Sequence, residues 1–129
     1  MNKFEQSVAD VLEVETVSPE TRFRETEGWC SLKAFGLLVM MENDWLAPVS
    51  IDRFQTFASV RDLYREAFTA FAARLFAVPR AQLDGASYGS LPAWDSVNHF
   101  RLVMEAEAFF GVKYPLERIP SLRTVDDFL

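Results

Sequence analysis

The chain has little of what builds metal sites and covalent cross-links. Among its 129 residues there is one cysteine, Cys30, and one histidine, His99. A single cysteine can close no internal disulfide, so a reducing compartment is the simpler expectation. Together the two make no zinc ligand set. Long apolar runs are missing too, which excludes a membrane span. The first residues, Met1-Asn2-Lys3-Phe4-Glu5-Gln6, lack the apolar stretch of a secretion signal. The expectation is a soluble, cytoplasmic chain with no membrane insertion. Positive charge is also short: thirteen Lys and Arg stand against nineteen Asp and Glu, a net charge of −6. That balance disfavours nucleic acid and favours basic partners. No nucleophile–base–acid set is visible, so no catalytic turnover is expected.

What the chain does have is apolar bulk. Half of it is hydrophobic and twelve residues are phenylalanine, enough to fill a core. The length suits one ordinary domain or two small ones, each close to the lower limit for a self-sufficient core. The acid excess is uneven. Residues 1–64 carry eleven acids against six bases, a net of −5, whereas residues 65–129 carry eight against seven, a net of −1.

Periodicity indicates helices throughout. Phe4, Val8, Val11 and Leu12 fall on one helical face within residues 3–14, followed by a polar loop to Gly28. A second helix starts near Ser31, with Leu32, Phe35, Leu38, Val39 and Trp45 on its apolar side, Leu37 and Met41 widening that face, and Pro48 ends it. A short connector follows, with Ile51, Phe54 and Phe57 pointing inward, then a helix from Val60. The same order then recurs. Phe68 to Val78 is helical, Gly85 to Ala93 is loop, and Val97 to Phe110 is a helix with apolar residues at 97, 100, 103, 104 and 110. At an offset of 65, Trp29/Trp94, Ser31/Ser96, Phe35/Phe100, Leu37/Leu102, Glu42/Glu107, Arg53/Arg118, Val60/Val125 and Asp62/Asp127 are identical pairs. The chain is therefore two copies of one unit, residues 1–64 and 65–129. With no Pro or Gly between Ser59 and Val78, a single helix is expected to join them.

The copies differ where chemistry is expected. The second reads Trp94-Asp95-Ser96-Val97 at a helix start, the first Trp29-Cys30-Ser31-Leu32. A serine there is often only an N-cap, or Asp95 is itself the cap with Ser96 in the first turn, and Cys30 reads as a small neutral filler beside Trp29. The tryptophans read as packing anchors and the phenylalanine stripes as core. His99, one turn past Ser96, has no partner that would make it a base, and reads as a contact or as plain surface.

Residues 94–110, WDSVNHFRLVMEAEAFF, resemble the modification-site helix of acyl carrier proteins. Asp95-Ser96-Val97 matches that family's D-S-L motif with Val for Leu, and Leu102-Val103-Met104, Glu107 and Thr124-Val125-Asp126-Asp127 fit later positions. The WDS-x-x-H form is similar to discrete carriers of polyketide, modified fatty acid or surface-polysaccharide pathways. The resemblance covers both units and is weaker in the first. It implies an all-α fold of two tandem four-helix bundles. It also implies a phosphopantetheine arm on Ser96, placed by a phosphopantetheinyl transferase that recognises Asp95, and an acyl group carried as a thioester. Val97, Arg101, Glu105 and Glu107 would face the transferase and the acyl-loading and condensing enzymes. Arg101 departs from the acid usual at its position. Ser31, with Cys30 in place of the aspartate, would be a second attachment point that is modified poorly or never. The competing expectation is an unmodified scaffold or interaction module of the same shape.

Overall fold

A computed structural model describes all residues from Met1 to Leu129, and it is all-α. Its helices are α1 (Lys3–Leu12), α2 (Ser31–Asn43), α3 (Ile51–Phe54), α4 (Val60–Phe76) and α5 (Ser96–Phe110). Short 3-10 segments lie at Phe23–Glu25, Arg80–Leu83, Leu116–Ser121 and Val125–Phe128. No helix is long and apolar enough to cross a membrane. The chain divides into two compact units, Met1–Ala67 and Phe68–Leu129. The division falls inside α4, which runs unbroken from Val60 to Phe76. The reading from sequence set the boundary after Tyr64, three residues earlier.

In the first unit, Asn2 and Glu5 open α1 with a reciprocal capping box: the Glu5 N–H donates to Asn2 Oδ1 at 2.7 Å and the Asn2 N–H to Glu5 Oε1 at 3.0 Å. The helix ends where Glu13 turns left-handed, and Lys33 Nζ donates to the terminal Leu12 carbonyl at 2.9 Å. Phe4 is fully buried, with its ring 5.2 Å from both Trp45 and Tyr64. Burying such a side chain contributes about 1.5–3 kcal/mol. Helix α1 also lies close to α2 at Gly36, where a β-carbon would stand 3.0 Å from Val11 Cγ1. Gly36→Leu is accordingly expected to push the two helices apart and cost about 1–3 kcal/mol, read as a lower urea midpoint.

The second unit uses the end of α4. Phe68 packs against Phe110 at 5.5 Å and Phe128 at 4.9 Å, and Phe76 lies 5.5 Å from the buried Trp94. Its third and fourth segments, Leu116–Ser121 and Val125–Phe128, are 3-10 turns rather than α-helices.

The sequence repeat is also a repeat of contacts. An isolated antiparallel bridge joins Arg22 to Ser59, and another joins Ser87 to Thr124, at the same offset. Asp62 Oδ2 accepts the Ala58 and Ser59 N–H groups, and Asp127 Oδ2 accepts those of Arg123 and Thr124. Each aspartate so ties the final segment of its unit to the chain just before it.

Several side chains lie opposite to the expectation. On α2 the core takes Leu37, Met40 and Met41, and on α5 Leu102, Val103, Ala106 and Phe110. The stripes Leu32/Phe35/Val39 and Val97/Phe100/Met104 face out, with Phe35 63 % and Phe100 59 % exposed. Ile51 and Leu116, at matching positions in the two units, are exposed as well. Both helices are apolar on more than one side, so spacing alone could not choose the buried face. Helix α2 stops at Asn43, before Pro48, because Leu46 takes a left-handed conformation at φ 54°. Cys30 is exposed and is not a filler.

Candidate functional site

The loop before α5 is shaped by its glycines and closed by Trp94. Gly85 and Gly89 have φ of 71° and 85°, left-handed values that glycine adopts without strain. The Gly89 N–H donates to the Trp94 carbonyl at 3.2 Å, and the Trp94 N–H to that of Leu91 at 2.8 Å. With its indole fully buried, Trp94 fixes where α5 begins.

Asp95, and not Ser96, is the N-cap. Its Oδ1 accepts the Asn98 N–H at 2.9 Å, and Asn98 Nδ2 donates back to the Ala93 carbonyl at 2.7 Å. Ser96 is the first residue of the helix and is exposed. Its hydroxyl makes no hydrogen bond within the protein. The bland reading of Ser96 as a cap is thereby removed, since capping is done by its neighbour. What remains is a free hydroxyl at the positive end of a helix macrodipole, beside a carboxylate.

The first unit presents the same serine without that carboxylate. Cys30 holds the N-cap position of α2 and makes no side-chain capping bond. Ser31 is exposed at the first helical position.

Of the expected partner-facing residues, Val97, Arg101 and Glu105 are exposed on α5. Arg101 and Glu105 pair with each other at 3.6 Å, and Arg101 also donates to Asn98 Oδ1 at 3.1 Å. Glu107 is different. It is half-buried, and its Oε2 accepts the Tyr114 N–H at 2.8 Å, so it anchors the chain after α5 rather than offering a free charge.

His99 is not plain surface. Trp94 Nε1–H donates to its Nδ1 at 3.0 Å, and the Ile119 backbone lies close enough to the ring to act on its charge. The ring lies edge-on to Tyr88 at 4.7 Å. Burial holds its pKa below the usual histidine value; the Ile119 backbone opposes this, and the nearby Arg123 charge adds to it. A lowered folded pKa means that the unfolded chain binds the extra proton first as pH falls. Stability from this group is therefore full above the ordinary histidine value of about 6.5 and is lost as pH falls below it. The expected result is a melting temperature that falls between pH 7 and 5, with the fall absent from His99→Gln. Asp62 and Asp127 act lower. Burial raises Asp62, but its backbone N–H bonds and Arg65 outweigh that, and backbone N–H bonds lower Asp127 directly.

Sequence reading missed the surroundings of His99. Tyr88, His99, Ile119, Pro120 and Arg123 line a pocket of about 210 Å³. The one available hint was a mismatch between the copies, Gly89 where the first has Arg24. No group of His, Cys, Asp and Glu is placed to hold a metal ion. Comparison with family models, curated proteins and solved structures gives no match for the chain.

Proposed function

We propose that the chain is a carrier whose second unit bears a phosphopantetheine arm on Ser96, with no turnover of its own. The observation that carries this reading is the unengaged, exposed Ser96 hydroxyl next to the capping carboxylate of Asp95. In the transfer, the Ser96 oxygen bonds to the phosphorus of the pantetheine phosphate of coenzyme A. The pyrophosphate bond breaks, adenosine bisphosphate leaves, and the hydroxyl proton passes to the transferase. The unpaired N–H groups and the dipole of the α5 N-terminus would favour the negative charge of the resulting phosphodiester. The arm supplies a thiol that holds an acyl group as a thioester. Asp95 faces the transferase, where a carboxylate suits a metal-assisted phosphoryl step. Ser31, lacking that carboxylate, is modified poorly or not at all.

Co-expression with a broad-specificity phosphopantetheinyl transferase is expected to add the mass of one arm, and Ser96→Ala to abolish the gain. No gain with several transferases would overturn the reading. A second arm lost on Ser31→Ala would overturn the view of the first unit.

One observation favours the other reading, an unmodified interaction module. Both units leave the same apolar stripe uncovered, Leu32/Phe35/Val39 and Val97/Phe100/Met104. Such a surface suits partner contact whether or not an arm is attached.

A further inference from the structure

The two units treat one corner of the fold in opposite ways. In the first, Arg24 fills it. Its guanidinium lies 4.7 Å from the Phe23 ring centre and 4.9 Å from that of Phe54. It donates to the Phe54 carbonyl at 2.8 Å and to the Phe57 carbonyl. At the same offset the second unit has Gly89 for Arg24, Tyr88 for Phe23 and Ile119 for Phe54. Two large groups are lost there, and a pocket of about 210 Å³ lies against the counterparts of Phe23 and Phe54, Tyr88 and Ile119.

The walls of that pocket are mostly apolar: the rings of Tyr88, His99 and Pro120, and the side chain of Ile119. The Nδ1 of His99 already accepts from Trp94, and the imidazole lines the pocket as a flat ring. The polar groups left for a ligand are two. The Arg123 guanidinium stands 5.3 Å from the Tyr88 ring centre and close enough to act on His99. No carboxylate pairs with it, and the nearby Asp127 spends an oxygen on the Arg123 and Thr124 N–H groups. The Tyr88 hydroxyl is likewise without a partner. The Tyr88 N–H bond to the Arg123 carbonyl, at 2.7 Å, fixes these two residues together. An unpaired guanidinium and a free phenol beside an apolar recess suit an anion on an apolar stem, and guanidinium matches carboxylate in both charge and shape.

We infer that the pocket holds a short apolar chain ending in a carboxylate, gripped by Arg123 and the Tyr88 hydroxyl. His99 lies one helical turn from Ser96, so the chain is the acyl group carried on the arm, an inference that rests on the carrier reading. In the first unit the Arg24 guanidinium occupies the corresponding corner.

The test compares two acyl chains of equal length on the arm-bearing protein, glutaryl and pentanoyl, which differ only in the terminal carboxylate. The Trp94 indole N–H and His99 ring resonances report on the pocket, and hydroxylamine attack reports on thioester shelter. Glutaryl is expected to shift both resonances and to survive roughly tenfold longer than pentanoyl, the factor that one charge-assisted hydrogen bond supplies. Arg123→Gln should erase the difference, and Arg123→Lys, which keeps the charge, should restore part of it. Equal behaviour of the two chains would overturn the inference while leaving the carrier reading intact. If Ser96 takes no arm, the carrier reading fails. Titration of the unmodified protein with free glutarate then decides the pocket alone: a response at Trp94 and His99 keeps it as a site for a free acid, and silence removes it. A response to free glutarate matching that of the tethered chain would overturn delivery by the arm.

Discussion

Trp94→Ala is expected to unfold the second unit at room temperature. The indole is fully buried against Phe76, and its N–H is the donor that His99 Nδ1 accepts. Truncating a buried tryptophan costs about 3–5 kcal/mol through lost transfer energy and the cavity left behind. The half-buried His99 nitrogen then lacks its donor, for about 1–3 kcal/mol more. A core in a unit this small supplies only about 3–5 kcal/mol in all, so the loss exceeds the margin. Amide hydrogen exchange resolved by residue is the measurement. Protection should vanish along α5, and persistent protection there would show that Trp94 is not the anchor. Trp94→Phe, which keeps most of the volume and loses only the N–H donor, should leave α5 protected but weakened. The consequence for function is direct, because α5 cannot present Ser96 at a capped helix start if the helix itself is lost.

Two neighbouring apolar residues on α5 are expected to behave oppositely. Leu102 is fully buried, and Leu102→Ala should cost about 2–5 kcal/mol. Phe100 is largely exposed, and Phe100→Ala should stay within about 0.5 kcal/mol of the parent. Leu37 and Phe35 on α2 should give the same contrast, since their burial repeats it. Urea unfolding of the four variants measures this. A reversed order would place the Phe35/Phe100 stripe in the core. The comparison matters for function as well as for stability: if phenylalanine at these two exposed positions is stability-neutral, another requirement, such as partner contact, accounts for both units having it.

The sequence was most legible where a signal was both local and repeated. The helix starts at Ser31 and Ser96 followed from the polar step before an apolar run, and the unbroken α4 from the absence of Pro and Gly between Ser59 and Val78. It was least legible where two faces of a helix were equally apolar. Residues 97, 100 and 104 satisfy helical spacing as well as 102, 103, 106 and 110 do, and only the partner across the interface distinguishes them. His99 misled for a related reason. Its partners, Trp94 and Tyr88, stand five and eleven positions before it, and no local pattern links them. Glu107 was read as a free acid because its role, holding the Tyr114 N–H, begins only once the chain turns back after Gly111.

The sequence by itself determined the all-α class, the tandem repeat, and the serine that opens the main helix of each copy. These follow from spacing, from breakers and from comparison of the halves, all of which act along the chain. Only the tertiary structure decided between Asp95 and Ser96 as the cap, and left Ser96 free. It alone turned Phe35 and Phe100 outward and tied His99 to Trp94. It also placed a pocket beside Tyr88 in the second unit and packed Arg24 into the matching corner of the first. Each of these depends on which groups meet after the chain folds back, and burial and hydrogen bonding are settled at that contact rather than by a residue's neighbours in sequence.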